Sequence, residues 1–292
     1  MIFSNLPGNV RGTIFGLAAA AMFTVVSALV KYAARDYHIF EILLFRQTVM
    51  LIVVMPVLVK HFPHSLITRR PGLHLLRLTG ALAALTLSFT AVAHLPLATA
   101  ISFSFTKTLF VTIFAVLLLR EVVGWRRVLA VLVGFVGMLI MLRPEPGSAI
   151  SFYALLAIIA AIGAAIAVTC VRALTSTENN ITLLSYQAIF VGVLVMIPTI
   201  FVWKTPDLLG LALLIAIGMA SILAQWLGVQ SYRAGEISVV TGMEYTKLLY
   251  ASLIGIVIFA EWPDSNTLIG AVIIIGASAF TIWRESQLTA KK

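Results

Sequence analysis

The sequence predicts an all-α integral membrane protein with ten transmembrane helices, arranged as two inverted five-helix repeats. Its 292 residues are 61% hydrophobic and only 11% charged, with a mean hydropathy of +1.07. A soluble domain carries roughly 25% charged residues. Apolar stretches of membrane-spanning length follow one another along the chain, and the chain aligns with itself at an offset of 140 residues. Composition therefore excludes an ordinary water-soluble fold.

The apolar stretches give the individual helices in order. They lie at 12–31, 39–59, 75–93, 97–119, 126–142, 152–172, 182–202, 208–230, 237–259 and 266–283. Each falls in the range of about 17 to 25 residues that crosses a bilayer. The first stretch follows Arg11 and stays apolar as far as Lys31, which is too long for the h-region of a signal peptide. We expect it to be a helix of the mature protein.

Basic residues predict the orientation of these helices. With the N-terminus inside, 13 of the 20 Lys and Arg residues fall on the cytoplasmic side, four on the opposite side and three within helices. Cytoplasmic loops of membrane proteins are enriched in Lys and Arg. The distribution therefore predicts a multi-pass protein of the plasma membrane, or of the inner membrane if it is bacterial, with both termini in the cytoplasm.

An internal repeat divides the chain into residues 1–146 and 147–292. At the offset of 140, Phe105-Thr106-Lys107 aligns with Tyr245-Thr246-Lys247, and the same offset also pairs Gln47 with Gln187 and Glu121 with Glu261. Because five is an odd number, the second group of helices enters the membrane upside down. Such pairs of halves are related by a pseudo-two-fold axis in the membrane plane, and they are typical of transporters.

Both copies of the repeat share a motif in which an apolar helix ends at a glutamate and a Gly- and Ala-rich helix follows. The first copy reads Leu118-Leu119-Arg120-Glu121, and the second reads Phe259-Ala260-Glu261. With the 5 + 5 arrangement, this pattern resembles the EamA-type drug/metabolite transporter superfamily over nearly the whole chain, and within it most resembles the bacterial aromatic amino acid exporters. Many EamA repeats carry Glu-Pro where this chain has Lys107-Thr108 and Lys247-Leu248. The resemblance implies a carrier of small metabolites, with a preference for aromatic amino acids.

Three ionisable residues lie deep in the predicted helices: Lys107, Glu244 and Lys247. A charge at mid-membrane costs at least about 2.5 to 3.5 kcal/mol, so it usually faces a cavity, a partner or a substrate. Glu244 and Lys247 are three residues apart and share a helix face. If the two lysines meet, they carry one positive charge more than Glu244 neutralises, and a substrate carboxylate could supply the balance. The alternative is a helix-locking network in which both lysines share Glu244.

The other candidate substrate-binding residues are polar or aromatic and lie near these charges or at repeat positions. They are Tyr245, Phe105, Phe103, Gln47, Gln187 and Trp226. The aromatic residues could equally be ordinary packing, and the glutamines could bind helices to one another. Arg46, beside Gln47, either lines a cavity or extends its charge to an interface.

Several chemistries lack support in the sequence. The single cysteine, Cys170, excludes an intrachain disulfide, and the five histidines lie in or near predicted loops without metal-ligand spacing. No nucleotide-binding, HExxH or GxSxG motif occurs. We therefore expect no cofactor, no metal, no nucleic-acid partner and no catalytic residue.

The leading hypothesis is a secondary transporter, not an enzyme, that exports amino acids or related small metabolites by alternating access. The lipid bilayer and the small-molecule substrate are its expected partners, and a monomeric working unit is compatible with the sequence. Proton coupling and facilitated diffusion both stay open. One alternative is an intramembrane enzyme that acts on a lipid-linked or phosphorylated substrate, and another is an accessory subunit that transports nothing.

Overall fold

The computed structural model describes residues 8–60, 68, 70–119, 125–142, 151–174, 178, 182–183, 186–234 and 243–289. Every regular element in these ranges is helical. The helices are α1 Gly8–Ala33, α2 Ile39–Lys60, α3 Pro71–His94, α4 Leu97–Ser104, α5 Lys107–Leu119, α6 Trp125–Leu142, α7 Phe152–Leu174, α8 Gly192–Val202, α9 Leu208–Ala234, α10 Thr246–Phe259 and α11 Ser265–Thr289. Glu121 and the predicted boundary between residues 146 and 147 lie outside the described ranges.

Six segments of the described chain are long and apolar enough to cross a membrane: Val10–Ala33, Ile39–Pro56, Pro71–His94, Leu97–Leu118, Phe152–Leu174 and Leu208–Ala234. Four shorter apolar helices lie at Val128–Leu142, Gln187–Val202, Thr246–Phe259 and Ser265–Ala277. Each of these segments overlaps one of the ten predicted spans, and residues 237–242 of the predicted span 237–259 lie outside the described ranges. The number that cross the bilayer, and the inverted orientation of the second half, stay predictions.

The predicted helix at 97–119 is interrupted. It ends at Ser104 as α4, turns at residues 105–106 and resumes at Lys107 as α5. The Thr106 hydroxyl donates to the Phe103 carbonyl oxygen at 2.7 Å, and such bonds compete with the helical ladder. The second half repeats this arrangement, because the chain turns at Tyr245 and the Thr246 hydroxyl donates to the Met243 carbonyl oxygen at 2.6 Å.

The predicted helix at 182–202 also differs in form. It contains a π-helical turn, Gln187–Val191, which runs directly into α8. Single π-helical turns occur frequently at functional sites. Here the turn lies at the repeat position of Gln47.

Three helix pairs make the most extensive contacts: α3 with α7, α1 with α9, and α6 with α11. A two-fold rotation that exchanges the predicted halves would convert the first pair into the second and return the third to itself. The packing thus fits the predicted repeat. A Cβ atom added to Gly80 of α3 would lie 2.8 Å from the carbonyl oxygen of Gly163 in α7, and the reverse addition gives the same distance. Glycine at both positions therefore permits this close contact.

Large apolar side chains cover the outside of the bundle. Phe201 is 84% exposed, Leu208 86% and Val257 73%. A monomeric soluble protein rarely exposes contiguous apolar surface of this kind. The exposed faces therefore suit contact with lipid, and the buried core lies between the helices.

Candidate functional site

A cavity of about 280 Å³ lies between α1, α2, α3, α4, α5, α7, α9 and α10, and we call it the central cavity. Alanines of α7 form one wall of this cavity, and because their side chains are short, they leave room inside it. Its polar lining consists of Thr24, Ser27, Arg46, Ser88, Ser104, Lys107, Ser221 and Lys247. The cavity is therefore a polar space with three cationic side chains inside an apolar bundle.

Lys107 and Lys247 both line the central cavity. Lys107 directly follows the first helix turn and Lys247 lies two residues after the turn at Tyr245, so both stand at the same position of the predicted repeat. Among the described residues, Lys107 makes no ion pair, whereas Lys247 lies 3.4 Å from the Glu244 carboxylate. Lys107 is within electrostatic range of both partners of this pair. The structure thus brings together the three charges that the sequence singled out.

Lys247 has a second partner in addition to Glu244. Its ammonium nitrogen lies 4.9 Å from the centroid of the Phe23 ring in α1, a cation–π distance. The Glu244 carboxylate in turn accepts a hydrogen bond of 3.2 Å from the Tyr232 hydroxyl of α9. The lysine is therefore held between an aromatic ring and a carboxylate.

A second cavity, of about 240 Å³, lies beside the central one. It is bordered by Gly16, Ala19 and Ala20 of α1, by Gln225, Gly228, Val229, Ser231 and Tyr232 of α9, and by Glu244. Phe23 and Lys247 line both cavities. The central cavity uses the part of α1 from Phe23 onwards and the second cavity the part before it. The contact between Phe23 and Lys247 therefore lies at the boundary between the two cavities, which are adjacent along α1.

Arg46 is buried at the wall of the central cavity, with 9% of its surface exposed. Its Nε donates to the Ser221 hydroxyl at 3.2 Å and its Nη1 to the Gln47 side-chain oxygen at 2.9 Å. Gln47 then donates to the Gln187 backbone oxygen at 3.3 Å. The two glutamines do not line either cavity, so Gln47 affects the cavity only through its hydrogen bond to Arg46.

The predicted aromatic residues divide into two groups. Phe105 is buried and packs edge-on against Tyr245, with centroids 5.5 Å apart, so these two rings join the two helix turns. Phe103 is fully buried in the hydrophobic core. Trp226 is 51% exposed, packs against Phe15 and borders neither cavity. None of the four predicted aromatic residues lines either cavity, and Phe105 and Tyr245 are next to the charged residues only along the chain, at the two helix turns.

Two residues that the sequence predicts at a surface are buried in α3: Arg77, counted among the basic residues of the cytoplasmic side, and His74, expected in or near a loop. Arg77 is 3% exposed and donates to the Leu183 carbonyl oxygen at 2.9 Å and to the Gln187 side-chain oxygen at 2.8 Å. His74 is 2% exposed and bonds to the Glu178 carboxylate. The expectation of a surface histidine is wrong here, because the carboxylate arrives from a distant part of the chain and the spacing of residues along α3 gives no sign of it.

An ion pair joins the end of α1 to the segment after α10. The Lys31 ammonium lies 2.6 Å from Glu261 and donates to the Leu95 carbonyl oxygen at 2.5 Å. The other oxygen of Glu261 accepts a bond of 2.9 Å from the Leu97 backbone nitrogen. The conspicuous glutamate of the second repeat therefore ties three segments together at one end of the molecule.

Comparison with known proteins identifies the family. A model of the EamA-like transporter family matches residues 10–143 and again residues 151–283. The chain belongs to the EamA-like transporter family. It is therefore a multi-pass membrane transporter, and the resemblance seen in the sequence is confirmed at the level of the superfamily.

The EamA-like chain is similar to carriers of several small metabolites. It is 32% identical over 262 residues to an S-adenosylmethionine uptake transporter of Rickettsia bellii, covering 90% of each chain. It is 29% identical to a riboflavin transporter of Vibrio cholerae, covering 95% of each, and 28% identical to a pseudopaline exporter of Pseudomonas aeruginosa, covering 91% of this chain and 94% of the other. None of these relatives is named as an aromatic amino acid exporter.

A solved structure shares the fold. It superposes with a TM-score of 0.58 at 16% sequence identity and covers 93% of this chain and 96% of the other. At this identity the similarity concerns the fold alone. The solved structure therefore supports the fold over most of this chain.

Proposed function

We propose that this EamA-like protein is a secondary transporter that carries a small, carboxylate-bearing metabolite through the central cavity by alternating access. One observation carries the proposal: Lys107 and Lys247, from equivalent positions of the two halves, line the same cavity. A bacterial inner membrane, export as the direction and amino acids as one substrate class belong to the same proposal.

The charges of the cavity favour an anionic group on the substrate. Glu244 can neutralise one lysine, and it lies beside Lys247. Lys107 is then left without an ion pair in the described part of the chain. Lys107 is only partly exposed, and a charge that is withdrawn from water without a partner is costly, so a carboxylate bound near Lys107 would be favoured. This arrangement supports substrate binding over a network in which Glu244 is shared equally.

The two adjoining cavities support alternating access. Phe23 and Lys247 separate them, and a substrate that passes from one to the other must displace this contact. A bound carboxylate would attract the Lys247 ammonium away from the ring and from Glu244. The same lysine would thus bind the substrate and open the route.

The relatives widen the substrate class beyond amino acids. Their names include S-adenosylmethionine, riboflavin and pseudopaline. These compounds, with aromatic and aliphatic amino acids, form the first set of substrates to test. The transport names of the relatives do not favour the alternative of an intramembrane enzyme.

The test is counterflow of these labelled compounds in proteoliposomes, with and without a pH gradient. We expect saturable counterflow of at least one carboxylate-bearing compound, reduced by about tenfold or more in Lys107→Met, since charge-assisted bonds are worth about 1.5 to 3 kcal/mol. Lys60→Met, at an exposed helix end, is the matched control and keeps the activity. Undiminished counterflow in Lys107→Met would contradict the role of the cavity. If no compound moves at all, the transport proposal itself fails.

A further inference from the structure

Arg46 brings a third positive charge to the central cavity. Its hydrogen-bond partners are neutral, namely the Ser221 hydroxyl and the Gln47 amide oxygen. No carboxylate lies within ion-pair distance of its guanidinium among the described residues. Nη2 also makes no hydrogen bond there. A buried guanidinium without a compensating negative charge costs folding free energy, unless a bound ligand supplies that charge.

Ser221 holds Arg46 in place at the wall of the central cavity. The Ser221 hydroxyl donates to the Ile217 carbonyl oxygen at 2.7 Å, so its lone pair accepts the bond from Arg46. Because its proton is already used, Ser221 acts as a positioning residue. The repeat does not demand this charge, since the residue at the offset of 140 from Arg46 is Tyr186.

The total charge of the cavity exceeds what a single carboxylate would balance. Three cations, Arg46, Lys107 and Lys247, line it, and Glu244 beside Lys247 is the acid that faces them among the described residues. The excess is therefore two positive charges. In the low-dielectric interior of a membrane protein, a ligand with two negative charges matches this excess.

We propose that Arg46 forms a second anion-binding position, so that the substrate of the central cavity carries two anionic groups. One group binds at Arg46 and the other at Lys107 and Lys247. A guanidinium binds carboxylate and phosphate oxygens equally well in geometric terms, so the second group is either of these two. A cavity of about 280 Å³ lies just below the range for ligand pockets, about 300 to 1,000 Å³, and favours a compact dianion. This inference rests on the proposed function, because it specifies the substrate of the same cavity.

The experiment measures binding by titration calorimetry of the full chain in detergent, with ligands matched in length. Glutarate is the dicarboxylate, its monoamide glutaramate is the monoanion, and 4-phosphonobutyrate carries the mixed pair. We expect at least one dianion to bind about tenfold or more tightly than glutaramate, because a second charge-assisted contact is worth about 1.5 to 3 kcal/mol. Comparison of glutarate with 4-phosphonobutyrate distinguishes the two chemistries.

Substitutions test whether the preference for dianions over the monoanion depends on Arg46. Arg46→Met is expected to bring the ratio of dianion to monoanion affinity below about twofold while glutaramate binding stays within about twofold of wild type. Lys107→Met is expected to weaken both ligands, and Lys60→Met neither. A purely structural role of Arg46 would weaken both ligands alike. If Arg46→Met does not fold, Ser221→Ala, which removes only the positioning hydroxyl, is expected to lower the same ratio by a smaller factor.

The outcomes separate this inference from the proposed function. Equal binding of dianions and glutaramate by the wild type, or equal weakening of both in Arg46→Met, would overturn the second position. Lys107-dependent counterflow of a monocarboxylate would in that case leave the transport proposal standing. Conversely, Arg46-dependent binding of a dianion without counterflow would support the site and contradict transport.

Discussion

Lys247 combines a carboxylate partner with an aromatic one at the boundary between two cavities. Its ammonium lies 3.4 Å from Glu244 and 4.9 Å from the Phe23 centroid. Because 19% of the Lys247 side chain and 35% of the Glu244 side chain are exposed, the pair is partly open to the cavities. The ion pair is therefore desolvated enough to be strong, and it is accessible enough for a ligand to replace one of its two partners.

A double-mutant cycle tests the pair. We expect Glu244→Gln and Lys247→Met each to lower stability, since each leaves the other charge without its partner. The double variant should lose less than the sum, with a coupling of about 0.5 to 3 kcal/mol. Thermal unfolding in detergent measures this, and Lys107→Met should cost less than Lys247→Met. Strictly additive losses would mean that the two side chains do not interact.

At the scale of elements, close helix contact defines the walls of the cavity. The α3 and α7 helices approach at Gly80 and Gly163, and α7 then presents a row of alanines to the central cavity. Small residues let helix backbones approach in membranes, where packing contributes much of the association energy. The same small side chains that bring these helices together also leave the space between them empty.

Glycine substitutions distinguish packed positions from open ones. Gly163→Ala places a Cβ 2.8 Å from the Gly80 carbonyl oxygen, so the backbones must separate, and we expect a loss of about 1 to 3 kcal/mol. Gly276→Ala is the matched control, because nothing lies within 4 Å of its added Cβ. Unfolding temperatures in detergent should fall for the first variant and stay close to wild type for the second. Equal effects would show that the contact between α3 and α7 can relax.

At the scale of the whole molecule, one end of the bundle is held by ionic and polar contacts between distant segments. Lys31 and Glu261 join α1, the junction of α3 with α4 and the segment after α10. Nearby, the Tyr37 hydroxyl donates to Asp207 at 3.2 Å, and the Lys204 backbone nitrogen approaches Glu41 at 3.4 Å. In alternating access, contacts of this kind must break when that end opens.

Loss of the Lys31–Glu261 pair should expose the central cavity. In a Cys170→Ser background, Ser27→Cys places a thiol in the cavity lining, and we expect a charged maleimide to label it several-fold faster when Glu261→Gln is added. The measurement uses protein in detergent, so membrane orientation does not enter. Thr205→Cys, exposed in the segment between α8 and α9, should label at an unchanged rate. An unchanged rate at Ser27→Cys would show that this pair does not restrict entry.

The sequence by itself determined the helical class, the family and the position of the charged candidates along the chain. A bilayer requires apolar segments of a fixed length, and that requirement is visible in local composition. The offset of 140 residues is likewise a property of covalent order, and it led to Lys107 and Lys247. The helix turns before both lysines were not visible, because a Thr hydroxyl that bonds its own backbone resembles any other Thr in an apolar stretch.

Only the tertiary structure decided which side chains face one another. The helices are apolar on nearly all sides, so hydropathy gives their extent but not their rotation, which packing against neighbours sets. The sequence therefore left Arg46 between a cavity wall and an interface and placed Arg77 with the basic residues of the cytoplasmic side, although both are buried among distant helices. Phe23, Ser221 and Glu178 gave no signal, because their partners lie far away in the chain. The charge excess of the cavity exists only where α1, α2, α5, α9 and α10 come together.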